Sequence, residues 1–208
     1  MLIRLTLFAA LLAVPLSALS PLFAQSHEHH PSHSSNADTP LIPAARAADS
    51  YAIYAMLLPG ASADKIDPSR NVDWVLGDTT VNITDMNPAI PPDGLLKAPP
   101  DNHRAFEEAL EDYEARKYER YKLLAADFHP HESFSLADPE RVRSRRRSAS
   151  GYDGVIFFSA VYFNRAQTAA LVYVNDWCAN LCSAGQWVYL EKHNGEWVRR
   201  SGLVSGGG

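Results

Sequence analysis

Four short runs of apolar and aromatic residues fill the last quarter of the chain. They read GVIFFSAVYF, TAALVYV, QWVYLEK and EWVRRSG, with turn-forming segments between them. Val, Ile, Phe, Tyr and Trp favour strands, and Asn194-Gly195 in the last turn favours a tight hairpin because both residues tolerate positive φ. The pattern therefore predicts an antiparallel β-meander within 154–202. The first run is apolar on both faces, which favours a central strand or one covered on both faces, and we expect helices to cover one of them.

Upstream of the meander the spacing becomes helical. Asn102 is a suitable N-cap, and apolar residues recur at helical intervals from Phe106 to Leu124, with an interruption at Lys117. Acidic residues fill the first half of this predicted helix and basic residues the second, in the order that suits the helix dipole. We interpret these charges as a solvated face, and an acid/base pair is the alternative.

Two shorter helices and a strand complete the predicted elements. Asp49 and Ser50 are N-cap residue types before YAIYAMLL, and Asp138 precedes Pro139-Glu140, which favours a first helical turn. A strand is predicted at Val72–Ile83, with a turn or bulge at Gly77-Asp78. This order indicates an α+β fold in which a C-terminal antiparallel meander packs against one long and two short helices.

The first 24 residues have the three-part layout of a secretory signal peptide. Met1–Arg4 is positive, Leu5–Leu19 is mostly apolar, and small residues lead to Ala24, where we predict cleavage. The apolar run is shorter than the roughly 20 residues that span a bilayer, although a retained anchor helix is the alternative. We therefore expect an exported protein, periplasmic or extracellular, with no stable membrane anchor after cleavage.

Residues 25–48 are predicted to form a disordered linker rich in His, Ser and Pro, followed by a single domain at 49–204. Four histidines of the linker, His27, His29, His30 and His33, are weak candidates for a Zn²⁺, Ni²⁺ or Cu²⁺ site. A flexible tract does not hold ligands in fixed geometry, so we favour a polar tether.

The net charge of the chain excludes few classes of function. The formal charge is −5, or −6 once Arg4 is removed with the leader, which gives no reason to expect nucleic-acid binding. The predicted helix after Asp138 carries five arginines within 141–147. This cluster is either an anion-docking face or a solvated face that pairs with the acidic helix.

Cys178 and Cys182 are the only cysteines, and in an exported chain we expect them to form a disulfide. The bridge would close a loop of five residues and stabilise the fold by about 2 kcal/mol. A redox pair is the alternative, but the spacing is not the C-x-x-C of thioredoxin-like sites. With Asp176, Trp177 and Asn180 beside the cysteines, this loop is the predicted binding surface.

The C-terminal segment resembles a group of uncharacterised exported bacterial proteins. The shared pattern is S-x-V-x-F-N-x-x-x-T-x-A-L-V-Y-V at Ser159–Val174 and C-x-x-x-C-x-x-G-x-x-V-x-L-E-K-x-x-G-x-W at Cys178–Trp197. That group has no established activity, so the resemblance implies no catalytic residue. The order of helix and curved sheet is also similar to the cystatin-like and nuclear-transport-factor-2-like folds, which implies architecture alone.

Three functions are consistent with these patterns. The first is a non-enzymatic module that binds a protein, glycan or small molecule, without a cofactor. The second is a small hydrolase or isomerase with a pocket between sheet and helices, whose acid/base candidates are His103, His129, His131, Asp153 and Asp176. His129 and His131 also form a cluster with Glu132 that could hold a metal. The third is metal handling through the N-terminal histidines.

Overall fold

Three helices and seven strands make up the part of the chain that the computed structural model describes, which is 38–58, 74–86, 88–128, 134–138, 155–177 and 183–203. These residues all lie in one of two compact units of the chain, Ser35–Gly208. The helices are α1 (Ala44–Leu57), α2 (Pro92–Leu95) and α3 (His103–Arg116). The strands are β1 (Trp74–Gly77), β2 (Phe134–Ala137), β3 (Val155–Phe158), β4 (Tyr162–Phe163), β5 (Ala169–Trp177), β6 (Ser183–His193) and β7 (Glu196–Arg199).

The strands form one mixed sheet in the order β2-β1-β3-β5-β6-β7, with β4 also paired to β5. From β3 to β7 every pairing is antiparallel, which confirms the predicted meander and the α+β class. Asn194 and Gly195 have φ values of 54° and 89° and form the predicted tight turn between β6 and β7. Strand β1 instead runs parallel to both of its neighbours, β2 and β3.

A bulge at Ser159 separates β3 from β4. Phe158 pairs with Val174, and Tyr162 pairs with Leu171. Between these two pairs the chain from β3 to β4 advances by four residues, whereas β5 advances by three. The Ser159 hydroxyl accepts from the backbone N–H of Tyr173 at 2.9 Å and so replaces a ladder bond. The extra residue reverses the alternation of side chains, which places Phe158 and Tyr162 on opposite faces.

The two long helices lie on opposite faces of the sheet. Tyr54 of α1 stacks on Phe158 at 4.8 Å between ring centroids, whereas Tyr113 of α3 contacts Tyr162 at 5.2 Å. Strand β3 is central and covered on both faces, as its apolar pattern predicted, but helices cover both faces and not one. A helix on each face accounts for β3, whose four residues are all buried.

Helix α1 begins at Ala44, five residues before the predicted cap at Asp49. Residues 44–48 are therefore helical, although their composition placed them in the linker. The alanine-rich segment has high helix propensity, and Pro43 stands just before it, where no intrahelical N–H bond is lost. Arg46 also anchors this turn through a tertiary ion pair with Asp112.

Helix α3 ends at Arg116, close to the interruption noticed at Lys117, and does not continue to Leu124. The Lys117 carbonyl accepts from the N–H of Ile83 at 3.0 Å, which takes the chain out of the helix. Tyr121 is buried as predicted, but from an extended segment. Leu124, which was expected on the same apolar stripe, is exposed, and Leu123 is buried instead. Asn102 occupies the N-cap position, but its side chain makes no hydrogen bond to the first turn of the helix. It donates instead to the Glu191 carboxylate at 2.9 Å.

Several predicted features lie outside the described residues. They are the signal peptide, the histidine tract, the arginine-rich helix and the cysteine pair. Among the helices that the structure describes, none has the length and apolarity to cross a bilayer.

Candidate functional site

Aromatic side chains fill the space between α3 and the sheet. Phe106 packs on Tyr189 at 5.3 Å between ring centroids, and Tyr113 packs on Tyr162 at 5.2 Å and on Trp187 at 5.4 Å. All five residues are buried. Burial raises the pKa of the Tyr113 hydroxyl to about 12. Aromatic side chains therefore occupy the region between α3 and the sheet in which an enzymatic pocket was the alternative.

A polar recess of about 320 Å³ opens beside α3, at the edge of β4 that faces away from β5. Side chains from α1, α3 and the turn after β4 surround it. We call this recess the edge cleft, and its lining residues are Arg46, Glu108, Glu111, Asp112, Phe163, Asn164, Arg165 and Gln167.

An ion pair at the floor of the edge cleft completes the hydrogen bonding of β4. The Arg46 guanidinium donates twice to the Asp112 carboxylate, once at 3.1 Å, and also donates to the Val161 carbonyl at 2.8 Å. Asp112 in turn accepts from the backbone N–H of Phe163 at 2.9 Å. The C=O of Val161 and the N–H of Phe163 therefore form hydrogen bonds with two side chains, in place of those that a neighbouring strand would form with them.

The rim of the edge cleft is a set of exposed or partly exposed pairs. Arg165 donates to Glu111 at 2.8 Å, and Arg104 donates to Glu108 at 3.0 Å. The bond from Arg104 lowers the pKa of the Glu108 carboxyl. Solvent-exposed pairs of this kind are worth about 0–1 kcal/mol. The rim can therefore open at little cost, whereas the floor cannot.

The turn after β4 positions Arg165 over the rim. The Asn164 side-chain oxygen accepts from the backbone N–H groups of Thr168 at 2.8 Å and Ala169 at 2.9 Å. Gln167 has a φ of 52° in this turn. Because the asparagine replaces backbone partners, the turn is held tightly and Arg165 is directed toward α3.

A second charged cluster surrounds Glu191, whose side chain is buried on the α3 face of β6. Asn102 donates to its carboxylate at 2.9 Å, and the Arg200 Nε and His193 Nε2 lie 3.5 Å and 3.4 Å from it. Arg200 also donates to Asp101 at 2.7 Å. This cluster joins the start of α3 and the segment after β7 to the sheet, which is a structural role.

The predicted binding residues Asp176 and Trp177 lie at the end of β5. Asp176 is half-buried and pairs with Ile156 and Ala184, while the Trp177 backbone pairs with Val155 and Ser183. Asn180, Cys178 and Cys182 lie outside the described residues, so the disulfide stays a prediction.

The acid/base candidates that the structure describes do not converge. His103 is exposed in the first turn of α3 and lies 3.7 Å from Glu107, whereas Asp176 lies on the α1 face of the sheet. The other candidates, His129, His131 and Asp153, lie outside the described residues, as do Glu132 and the metal candidates His27, His29, His30 and His33. Within the described ranges no three His, Cys, Asp or Glu side chains are grouped to hold a metal ion.

Comparison of the chain with protein-family models, with curated proteins and with solved structures found no match. The resemblance to uncharacterised exported proteins stays a prediction.

The edge cleft was not predicted from the sequence. Arg46 fell within the segment assigned to the linker, and Asp112 was assigned to a solvated face. One signal was present: Arg46 is the sole cation between Asp38 and Leu58, in a segment otherwise poor in charge.

Proposed function

We propose that the protein is an exported, non-enzymatic binding module that holds its ligand at the end of β5 and β6. The observation that carries this proposal is the packing beneath α3. Aromatic rings occupy the space in which a hydrolase or isomerase of this architecture would hold a substrate. The charges of the edge cleft are paired with one another, so they are poorly suited to act as free acids or bases.

The proposed binding surface is the end of β5 and β6 beyond the Tyr173–Trp187 pair. The two strands stay paired as far as Trp177 and Ser183, six register positions past the Leu171–Tyr189 pair. We call 174–177 together with 183–186 the β5–β6 ribbon. Strand β3 pairs with 174–177 on the other side, so 183–186 form its outer part. Ala184, Gly185 and Gln186 are exposed there, and Asn175 and Asp176 are half-buried. Such a ribbon gives a ligand access to small, polar and apolar groups at once.

Gly185 has a specific place in this ribbon. A Cβ atom at position 185 would lie 1.7 Å from the Tyr173 hydroxyl, so the tyrosine side chain crosses the glycine directly. The Asn175 amide lies 3.4 Å from the same hydroxyl. Tyr173 is buried, so Gly185 and Asn175 are the groups that this part of the ribbon offers to a ligand.

Trp177 is the residue to test, because tryptophan is enriched among residues that dominate binding energy. Ligands would be selected with the wild-type protein from a phage-displayed peptide library and a panel of soluble oligosaccharides. We expect Trp177→Ala to weaken binding of the selected ligand at least tenfold and Tyr118→Ala, at an exposed aromatic residue of another surface, to leave it unchanged.

Two results would contradict the proposal. One is equal binding by wild type and Trp177→Ala for every selected ligand. The other is turnover of chromogenic ester, amide or glycoside substrates that persists through purification and survives Trp177→Ala. The second result would favour the hydrolase alternative.

A further inference from the structure

The outer edge of β7 is an open strand edge among the described residues. Strand β7 ends the sheet, and the N–H of Arg200 donates inward to Tyr189 at 3.0 Å. Because backbone groups alternate in direction along an antiparallel strand, Glu196 and Val198 also face β6. The N–H and C=O groups of Trp197 and Arg199 therefore point outward, where no described residue meets them. Open edges of this kind readily pair with another strand.

We propose that β7 pairs antiparallel with β7 of a second copy of this chain, around a two-fold axis at Val198. In that arrangement Trp197 lies opposite Arg199 of the second copy, and the two residues exchange both backbone hydrogen bonds. The symmetry repeats the exchange on the other side of the axis. Both sheets then join into one continuous sheet.

The side chains of β7 are complementary in this register. Val198, an apolar residue that is 45% exposed, meets Val198 of the second copy at the axis. Glu196 lies opposite Arg200 of the second copy, a residue that also pairs with Asp101 of its own chain, so opposite charges face each other at both ends. Arg199 lies opposite the Trp197 indole of the second copy, on the face where Lys192 already lies 5.2 Å from that ring.

The neighbouring register forms fewer backbone hydrogen bonds. With the axis at Trp197, the two Trp197 residues exchange one pair of hydrogen bonds, and the outward groups of Arg199 lie opposite Gly195 in the turn. With the axis at Val198, two such pairs form, between Trp197 and Arg199 on each side of the axis. We therefore favour the register centred on Val198, which also places opposite charges across the edge.

A paired edge of four residues is small beside a stable interface, which buries about 1,200–2,000 Å² in total. We therefore expect a reversible, concentration-dependent dimer. Sedimentation velocity from about 10 to 500 µM should show the dimer increase with concentration. Wild-type protein that stays monomeric across this range would overturn the proposal.

Arg199→Pro and Arg199→Ala separate edge pairing from other kinds of association. Proline removes an outward N–H and leaves the ladder to β6 intact, while alanine keeps that N–H. We expect Arg199→Pro to be monomeric and Arg199→Ala to dimerise, with both variants matching the wild-type circular dichroism spectrum. Equal dimerisation of the two variants would overturn the proposed geometry.

Cross-linking fixes the register. At a non-hydrogen-bonded antiparallel pair the Cα atoms are about 4.5 Å apart, which a disulfide can span. Val198→Cys should therefore form a disulfide dimer under mild oxidation, with peptide mapping locating the bond between the two copies of position 198. Glu196→Cys is the matched control, since its counterpart would lie about 13 Å away along the strand. We expect at least tenfold faster cross-linking at 198, and equal rates would overturn the register.

Discussion

Helix α3 contacts the rest of the protein through two faces, one by aromatic packing and the other by charged hydrogen bonds. Its inner face, which includes Phe106 and Tyr113, fills the space over the sheet with aromatic rings. Its edge face, which includes Asp112, meets a charge from another helix and the backbone of β4. The first contact depends on shape and burial, and the second depends on matching particular donors and acceptors.

This difference bears on the proposed binding site. Aromatic rings occupy the inner face, and the charges at the floor of the edge cleft are matched within the protein itself. Exposed residues among the described ones include Ala184–Gln186 of the β5–β6 ribbon and the outer edge of β7. These are the two places where we propose binding.

The largest expected effect is on the aromatic contact of the inner face. Tyr113→Ala removes a ring that packs against Tyr162 and Trp187, and we expect it to lower the free energy of unfolding by about 3–5 kcal/mol. Urea denaturation of wild type and variant measures the difference. Tyr118→Ala, at a residue that is 65% exposed, should change the same quantity by less than about 0.5 kcal/mol. Similar losses in both variants would show that the inner face is not packed as described.

The floor of the edge cleft should respond less strongly but more specifically. Asp112→Ala leaves the Arg46 guanidinium and the N–H of Phe163 without their shared acceptor, so we expect a loss of about 2–3 kcal/mol. The adjacent Glu111→Ala breaks an exposed pair with Arg165 and should cost at most about 1 kcal/mol. Urea denaturation of the two variants compares them directly, and an equal cost would contradict the distinction between floor and rim.

The sequence predicted the inner face better than the edge face. Apolar spacing from Phe106 onward located the helix and its buried stripe, because a packed face requires a periodic pattern. The partner of Asp112 lies 66 residues away in Arg46, and nothing local to either residue signals that contact. The bulge at Ser159, which turns Phe163 toward α1, is equally invisible to a pattern of alternating residues.

The end of α3 shows the same limit. Tyr121 and Leu124 fall at helical intervals from Tyr113, yet the chain leaves the helix at Arg116. Backbone hydrogen bonds to another segment hold these residues in an extended conformation despite their helical spacing. The N–H of Thr80 donates to the Tyr121 carbonyl at 2.9 Å, and the N–H of Leu123 donates to the Asp78 carbonyl at 2.8 Å. Periodicity identified the buried side chain of Tyr121 but not the backbone that buries it. It was wrong for Leu124, which is exposed while Leu123 is buried.

Alkaline titration provides a second test of the inner face. Burial raises the pKa of Tyr113 to about 12, against 10.0 for a free tyrosine. Because the folded pKa is the higher one, the stabilisation is fully present below pH 10 and is lost as the pH rises through about 12. Stability by urea denaturation should therefore decline across this window, with delayed phenolate absorbance near 295 nm. Ionisation of every tyrosine near pH 10 without unfolding would contradict the solid packing.

The smallest expected effect is at the rim. The hydrogen bond from Arg104 lowers the pKa of Glu108, and Arg104→Ala should raise that pKa toward its ordinary value. Carboxyl chemical shifts followed by NMR across pH 2–7 measure the change. An unchanged Glu108 pKa would show that the Arg104 pair does not form in solution.

Amide hydrogen exchange on β4 tests most directly whether α3 completes the sheet edge as well as filling the interior. The N–H of Tyr162 faces β5, whereas that of Phe163 donates to Asp112. The two neighbouring amides therefore report on the two kinds of contact. We predict slow exchange at both positions in the wild type. In Asp112→Ala, exchange at Phe163 should accelerate at least tenfold more than exchange at Tyr162. Fast exchange at Phe163 in the wild type, or an equal change at both amides in the variant, would contradict the account.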